Sequence, residues 1–239
     1  MTLAEIFILL TASAIIQASF QLSVSMVTVM SGHALGKKTS LTRLSRMVAA
    51  FTLGVMTMTA LCVSLFALIL TNVFPETPIL LWSILSGLMV GIGLAVWFFY
   101  YRYRTSGTVL WIPRPLATYL TKRSRATSMA PEAFALGTTS VVGEIVFNGV
   151  TSLFAAVLLT HLAPPQQLVG LLLYVVVATL PLFLIVLHIS GGGSLARIQR
   201  WRERNKRFLQ FAAGSALIIL GVYVYVETVL TPLASGAQV

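Results

Sequence analysis

Four polar residues recur at every fourth position within an apolar run that is long enough to cross a bilayer. They are Ser140, Glu144, Asn148 and Ser152. Because residues four apart lie on the same side of an α-helix, the spacing predicts a polar stripe along one helix face. Glu144 lies near the middle of the run, where an ionisable side chain is costly unless it is paired, neutralised or facing water. The stripe therefore predicts a functional site around Glu144.

A second polar stripe lies in the first apolar run, residues 3–30. Ser13, Gln17, Gln21 and Ser25 repeat the four-residue spacing there. If the two stripes face each other, the amides of Gln17 and Gln21 supply both donors and acceptors to the carboxyl group. The alternative is that these side chains form hydrogen bonds between helices and only hold the bundle together, at about 1 kcal/mol or less per contact.

A carboxyl group in the middle of a bilayer can perform a few kinds of chemistry. It can carry a proton, it can bind a cation or an amine, or it can stay protonated in a structural hydrogen bond, since burial favours its neutral form. The first two uses predict a substrate or ion site made of Glu144, Asn148, Ser140, Thr151, Gln17, Gln21 and Ser25. The alternative is that Glu144 stays protonated and only joins helices.

Small and rigid residues near the stripe predict positions at which helices bend or break. Gly143 and Gly149 flank the central part of the stripe. Pro181 lies within the fifth apolar run, where it removes a backbone hydrogen bond and predicts a kink. We expect these three residues to act as hinges.

The composition is that of a multi-pass membrane protein. Of the 239 residues, 57% are hydrophobic and only 9% are charged, whereas about a quarter of the residues are charged in soluble domains. The net charge is +10, and every Lys and Arg lies in one of three clusters, at 37–46, 102–125 and 197–207. These clusters alternate with connections that lack basic residues, which follows the positive-inside rule and fits contact with anionic lipid headgroups. The same distribution argues against nucleic-acid binding.

The apolar runs predict an all-α membrane protein with six transmembrane helices that form a 3+3 inverted repeat. Residues 1–104 are expected to form the first three-helix repeat, 105–127 a basic inner connecting loop, and 128–239 the second three-helix repeat. With three spans per half, the second half enters the membrane in the opposite direction to the first. Both termini are therefore expected on the outside.

Motifs typical of catalysis are missing from the chain. It contains no Asp, no H-E-x-x-H zinc motif and no serine–histidine arrangement typical of a nucleophilic enzyme. We therefore predict no enzymatic activity, no metal and no cofactor.

The C-terminal half resembles the lysine-exporter superfamily, which includes the transmembrane modules of the thiol-disulfide and cytochrome-c-biogenesis carriers. The similar part extends from Glu132 through Glu144 to Pro181, and continues after a basic loop into residues 208–223, with glycines spaced along apolar helices. The redox members depend on cysteines in the first and fourth membrane helices, and this chain has none there. The resemblance thus implies export of a small solute without electron transfer through thiols.

These observations predict a small secondary transporter or exporter of a small solute or ion, with Glu144 as its proton or cation site. The expected partners are that solute or ion, with possible proton coupling, and membrane lipid; a homo-oligomer is left open. The expected location is the plasma or inner membrane, with the basic loops in the cytoplasm. The alternative is a non-transporting membrane scaffold or a subunit of a larger membrane complex.

Overall fold

A computed structural model describes residues 1–19, 27, 41–74, 78–100, 119, 122–124, 127, 129–191 and 195–234. Within these ranges the secondary structure is helical throughout, without a strand. The main elements are α1 (Leu3–Ser19), α2 (Leu41–Val73), α3 (Ile79–Tyr100), α4 (Ala130–Gly143), α5 (Ile145–Thr160), α6 (Pro164–Ser190) and α7 (Leu195–Tyr225). A π-helical turn, Val226–Leu230, and the short helix α8, Thr231–Ala234, follow α7 directly.

Several of the described helices are long and apolar enough to cross a membrane. The four candidate spans are Thr42–Val73, Ile79–Phe98, Pro164–Ser190 and Arg207–Ala234. Helices α4 and α5 pass the same test only as a pair, and α1 is a shorter apolar helix of 17 residues. The described part of the chain thus contains four or five candidate spans, where the sequence predicts six over the whole chain.

Helix α5 lies at the centre of the bundle. It contacts α1, α2, α3, α4 and α6, and its residues 154–158 are wholly buried. A helix segment that is enclosed on all sides is apolar all round, which fits the run Phe154–Leu158, whereas the polar residues of α5 lie nearer to its start. Around it, α2 packs against α4 and α6, α1 packs against α6, and α3 packs mainly against α7.

The contact between α2 and α4 depends on two glycines. A Cβ atom on Gly54 would lie 2.2 Å from the backbone oxygen of Phe134, and a Cβ atom on Gly137 would lie 2.2 Å from that of Phe51. The two backbones therefore touch, as is typical of membrane helices, which pack through small residues. This contact holds α4 directly against α2 just before the chain reaches Glu144.

Gly54→Ala and Gly137→Ala should each destabilise the fold, because the added methyl group forces the two backbones apart. We expect a loss of about 1–3 kcal/mol for each change, with a lower Tm in detergent. Gly91→Ala is the matched control, because no atom lies within 4 Å of its Cβ position and alanine is the better helix former. Equal Tm values for the Gly54 and Gly91 variants would contradict the close contact.

Candidate functional site

The apolar run that contains Glu144 forms two helices instead of the single helix that the stripe predicts. Helix α4 ends at Gly143, α5 begins at Ile145, and the two are bent by 83°. Glu144 itself has φ −96° and ψ 6°, in a sparsely populated backbone region where many active-site residues are found. The break divides the stripe, so Ser140 belongs to α4 whereas Asn148 and Ser152 belong to α5.

Glu144 is buried at the break, whereas the neighbouring Val142, Ile145 and Val146 are 42–47% exposed. The side chain of Glu144 is 4% exposed. The ends of two helices meet there, and a helix end leaves backbone groups without partners in its own helix. At membrane depth, such irregular backbone is tolerated only where it is surrounded by protein or lines a cavity. The carboxyl group also lies at the N-terminus of α5, where the partial positive charge of the helix favours an anion.

Glu144 forms a hydrogen bond with the next polar residue of the stripe. Asn148 Nδ2 donates to Glu144 Oε2 at 2.6 Å, and Asn148 is itself 3% exposed. This bond orients the amide, since only its nitrogen can donate to a carboxylate. The other amide atom, Asn148 Oδ1, has no hydrogen-bond partner among the residues that the structure describes. A buried acceptor of this kind is a position at which a donor or a cation can bind.

A second group of polar side chains joins α1, α5 and α6. Gln17, 2% exposed, accepts hydrogen bonds at Oε1 from the hydroxyls of Thr151 (3.2 Å), Ser152 (3.4 Å) and Tyr174. The Thr151 hydroxyl also lies 3.0 Å from the backbone oxygen of Asn148. Thr151 therefore links the Gln17 group to the residue that contacts Glu144.

The structure brings some of the expected site residues together. It places Gln17 beside Thr151 and Glu144 beside Asn148. Ser140 is also buried, and its hydroxyl donates to the backbone oxygen of Gly137 at 2.7 Å. The remaining two expected members, Gln21 and Ser25, lie outside the described residues.

Tyr174 is the member of this group that sequence reasoning misses. It lies in the apolar run of α6 and is wholly buried. Tyrosine is enriched at membrane interfaces, so its type does not by itself indicate an interior position. The available signal is its place inside the apolar run that begins at Leu168, where a buried phenol needs a hydrogen-bond partner.

The three expected hinge residues lie in different settings. Gly143 is the last residue of α4 and therefore adjoins the break. Gly149 lies within α5, and only side-chain atoms of Ile145 lie near its Cβ position, at 3.6 Å or more. Pro181 lies inside α6, which is continuous from Pro164 to Ser190. The hinge role of each residue stays a prediction.

Buried polar residues also occur near the middle of the long helices, between two apolar clusters of the core. On α6, buried Thr179 lies between Ala178 of one cluster and Leu182 of the other. On α2, buried Thr59 lies where the same two clusters meet. Like Asn148 Oδ1, Thr59 Oγ1 has no hydrogen-bond partner among the described residues. His188 Nε2 on α6 is a third such atom. Among the described residues, buried polar atoms without partners therefore occur on α2, α5 and α6, and α5 contacts both of the other two helices.

The fold and the site define an all-helical, multi-pass membrane protein with a buried carboxyl group at a helix break. Comparisons of the chain with protein-family models, curated proteins and solved structures found no match. The resemblance to the lysine-exporter superfamily therefore stays a prediction.

Gln17→Leu should destabilise the fold more than Tyr174→Phe. The first change removes the shared acceptor of several hydroxyls and should cost about 1–3 kcal/mol. The second leaves Thr151 and Ser152 bound to Gln17 and should cost about 0.6 kcal/mol, an average value for hydrogen bonds between membrane helices. Unfolding in mixed detergent–SDS micelles measures both, with Tyr223→Phe at an exposed tyrosine as the control. The reverse order would show that Gln17 Oε1 is not the shared acceptor.

Proposed function

We propose that this protein is a small secondary transporter or exporter of a small solute or ion, and that Glu144 is its proton or cation site. The observation that carries the proposal is the 83° helix break at a buried glutamate. Secondary transporters form their substrate and coupling-ion sites from discontinuous helices near the middle of the bilayer. An ionisable residue within a membrane segment typically marks such a pathway.

The chemistry of the site favours a cation or a proton over an anion. Its polar atoms include the Glu144 carboxyl group and Asn148 Oδ1, which has no hydrogen-bond partner among the described residues. No Lys or Arg is among the buried side chains of the described residues. Among the described residues, an anion would therefore meet acceptors without a buried positive side chain, whereas a cation would meet atoms that can coordinate it.

The main helix contacts support a 3+3 inverted repeat. In such a repeat, α1 is equivalent to the α4–α5 pair, α2 is equivalent to α6, and α3 is equivalent to α7. The α2–α4 contact then corresponds to the α6–α1 contact, while α2–α6, α3–α7 and α1–α5 correspond to themselves. The proposed six spans require α1 and the broken pair α4–α5 each to serve as one span.

The positions of the helix ends support a topology with both termini on one side. The rings of Trp82, near the start of α3, and His161, after α5, are 5.7 Å apart. The apolar span of α7 begins at Arg207, and the exposed residues Arg197, Arg200 and Arg204 lie just before it. We place these arginines at the end of the bundle opposite to Trp82 and His161. By the positive-inside rule, this basic end faces the cytoplasm and the termini face outwards, in a plasma or inner membrane.

A cation-dependent thermal shift tests the site. Purified wild-type protein should gain several degrees in Tm from at least one of NaCl, KCl or methylammonium chloride, relative to choline chloride at equal ionic strength, because a bound ligand stabilises the folded state. Glu144→Gln should lose this gain. Glu227→Gln, at an exposed glutamate, is the matched control and should keep it. An equal gain in wild type and Glu144→Gln would exclude Glu144 from the cation site.

Charge movement tests transport. Proteoliposomes on a solid-supported membrane receive pulses of NaCl, KCl, methylammonium chloride or a pH step, each compared with choline chloride. Wild type and Glu227→Gln should give a transient current with at least one pulse, and Glu144→Gln should give none. If wild type gives no current and no thermal shift, the alternative of a non-transporting scaffold or complex subunit replaces the transporter.

A further inference from the structure

An apolar groove lies between α1 and α7, away from the break at Glu144. It has a volume of about 660 Å³. The residues that define its shape are Glu5, Ile8, Ala12, Ala216, Ile219 and Tyr223. Ile8 and Ile219 are its most exposed lining residues, at 66% and 68%, whereas Leu9, Ile16 and Leu220 are buried and the small residues Ala12 and Ala216 are half-buried. The groove is therefore open to the surroundings of the bundle along its length.

The polar groups of the groove lie at one end. Leu10 on α1 lies near Gly170 on α6, and Gln17 further along α1 bonds to Tyr174 further along α6. Helices α1 and α6 therefore run in the same direction. Glu5, near the start of α1, and Tyr223, near the end of α7, both line the groove. Tyrosine is typical of the membrane–water interface. This end of the groove thus lies at headgroup level, and the remainder extends into the hydrocarbon.

The length of the groove matches one leaflet. From Glu5 to Ile16 the helix rises about 16 Å, at 1.5 Å per residue. Half of a bilayer hydrocarbon core of about 30 Å is about 15 Å. A transmembrane helix of another protein would need a contact surface across the whole core, and over the described residues the groove extends across about half of it. An acyl chain that is anchored by its headgroup has the required length and polarity.

We propose that this groove binds one acyl chain of a membrane phospholipid whose headgroup carries a primary ammonium group, and that Glu5 contacts that ammonium. Glu5 Oε2 accepts from the backbone amide of Thr2 at 2.8 Å. A carboxylate has about four acceptor positions, so this bond leaves capacity for an ammonium donor. A trimethylammonium headgroup has the same charge but no N–H donor, so it cannot form the charge-assisted hydrogen bond.

Native mass spectrometry of the delipidated full-length protein tests the proposal. Titration with dioleoyl-phosphatidylethanolamine should show one tightly bound lipid, held about tenfold more tightly than dioleoyl-phosphatidylcholine. Ala12→Phe and Ala216→Phe each place a large side chain in the groove and should abolish this binding. Ala135→Phe, at an exposed alanine of α4 outside the groove, should leave it unchanged.

A second pair of variants separates the headgroup contact from the acyl contact. Glu5→Gln should keep a bound lipid but lose the preference for the primary ammonium, while Glu227→Gln should retain that preference. Lipid binding by both phenylalanine variants at wild-type strength would overturn the proposal. It would also be overturned by a dimer that forms in wild type and is lost in Ala12→Phe, because a second copy of the chain would then occupy the groove. None of these readouts involves Glu144.

Discussion

The bundle depends on one costly feature, a carboxyl group and two helix ends that are buried together at Glu144. Polar groups inside a membrane protein are stable only if protein partners replace the water they have lost. Helix α5 begins at this break and is enclosed by α1, α2, α3 and α6. Its central position buries Glu144, whereas the neighbouring apolar side chains Val142, Ile145 and Val146 are 42–47% exposed. The same enclosure brings Gln17 and Tyr174, on two different helices, to the hydroxyls of α5.

Glycine contacts make this enclosure possible. Between membrane helices there is little hydrophobic driving force, so association depends on close van der Waals packing and on hydrogen bonds. Gly54 and Gly137 let α2 and α4 touch, while Gly93 and Gly214 do the same for α3 and α7, where a Cβ on Gly93 would lie 2.8 Å from the backbone oxygen of Gly214. The first contact fixes α4 up to the break. The second contact holds α3 against α7, and α3 in turn contacts α5.

The sequence predicts the membrane class and some of the polar contacts, because both depend on local features. Apolar runs indicate spans whatever their partners are, and four-residue spacing correctly pairs Glu144 with Asn148. The division of the stripe into α4 and α5 is not readable in this way, since Gly143 signals only that a break is permitted. Whether the helix breaks depends on the packing contacts that α2 and the other surrounding helices make with α5. Tyr174 is missed for the same reason, because its position in the interior depends on the Gln17 that it meets.

The two interpretations of the polar stripes are hydrogen bonds that hold the bundle together and a site that binds a ligand. We propose that they apply to different residues. Around Gln17, one acceptor receives several hydroxyls from two other helices, so the acceptor is fully used and the group joins α1, α5 and α6. At Asn148, the amide nitrogen is used by Glu144, whereas the amide oxygen is buried without a partner among the described residues. A group that only stabilises the fold gains nothing from an unpaired acceptor, which costs about 1–3 kcal/mol. Thr59 Oγ1 and His188 Nε2 are also without partners among the described residues. The proposed ligand site therefore depends on the carboxyl group that lies beside Asn148 Oδ1, and not on an unpaired atom alone.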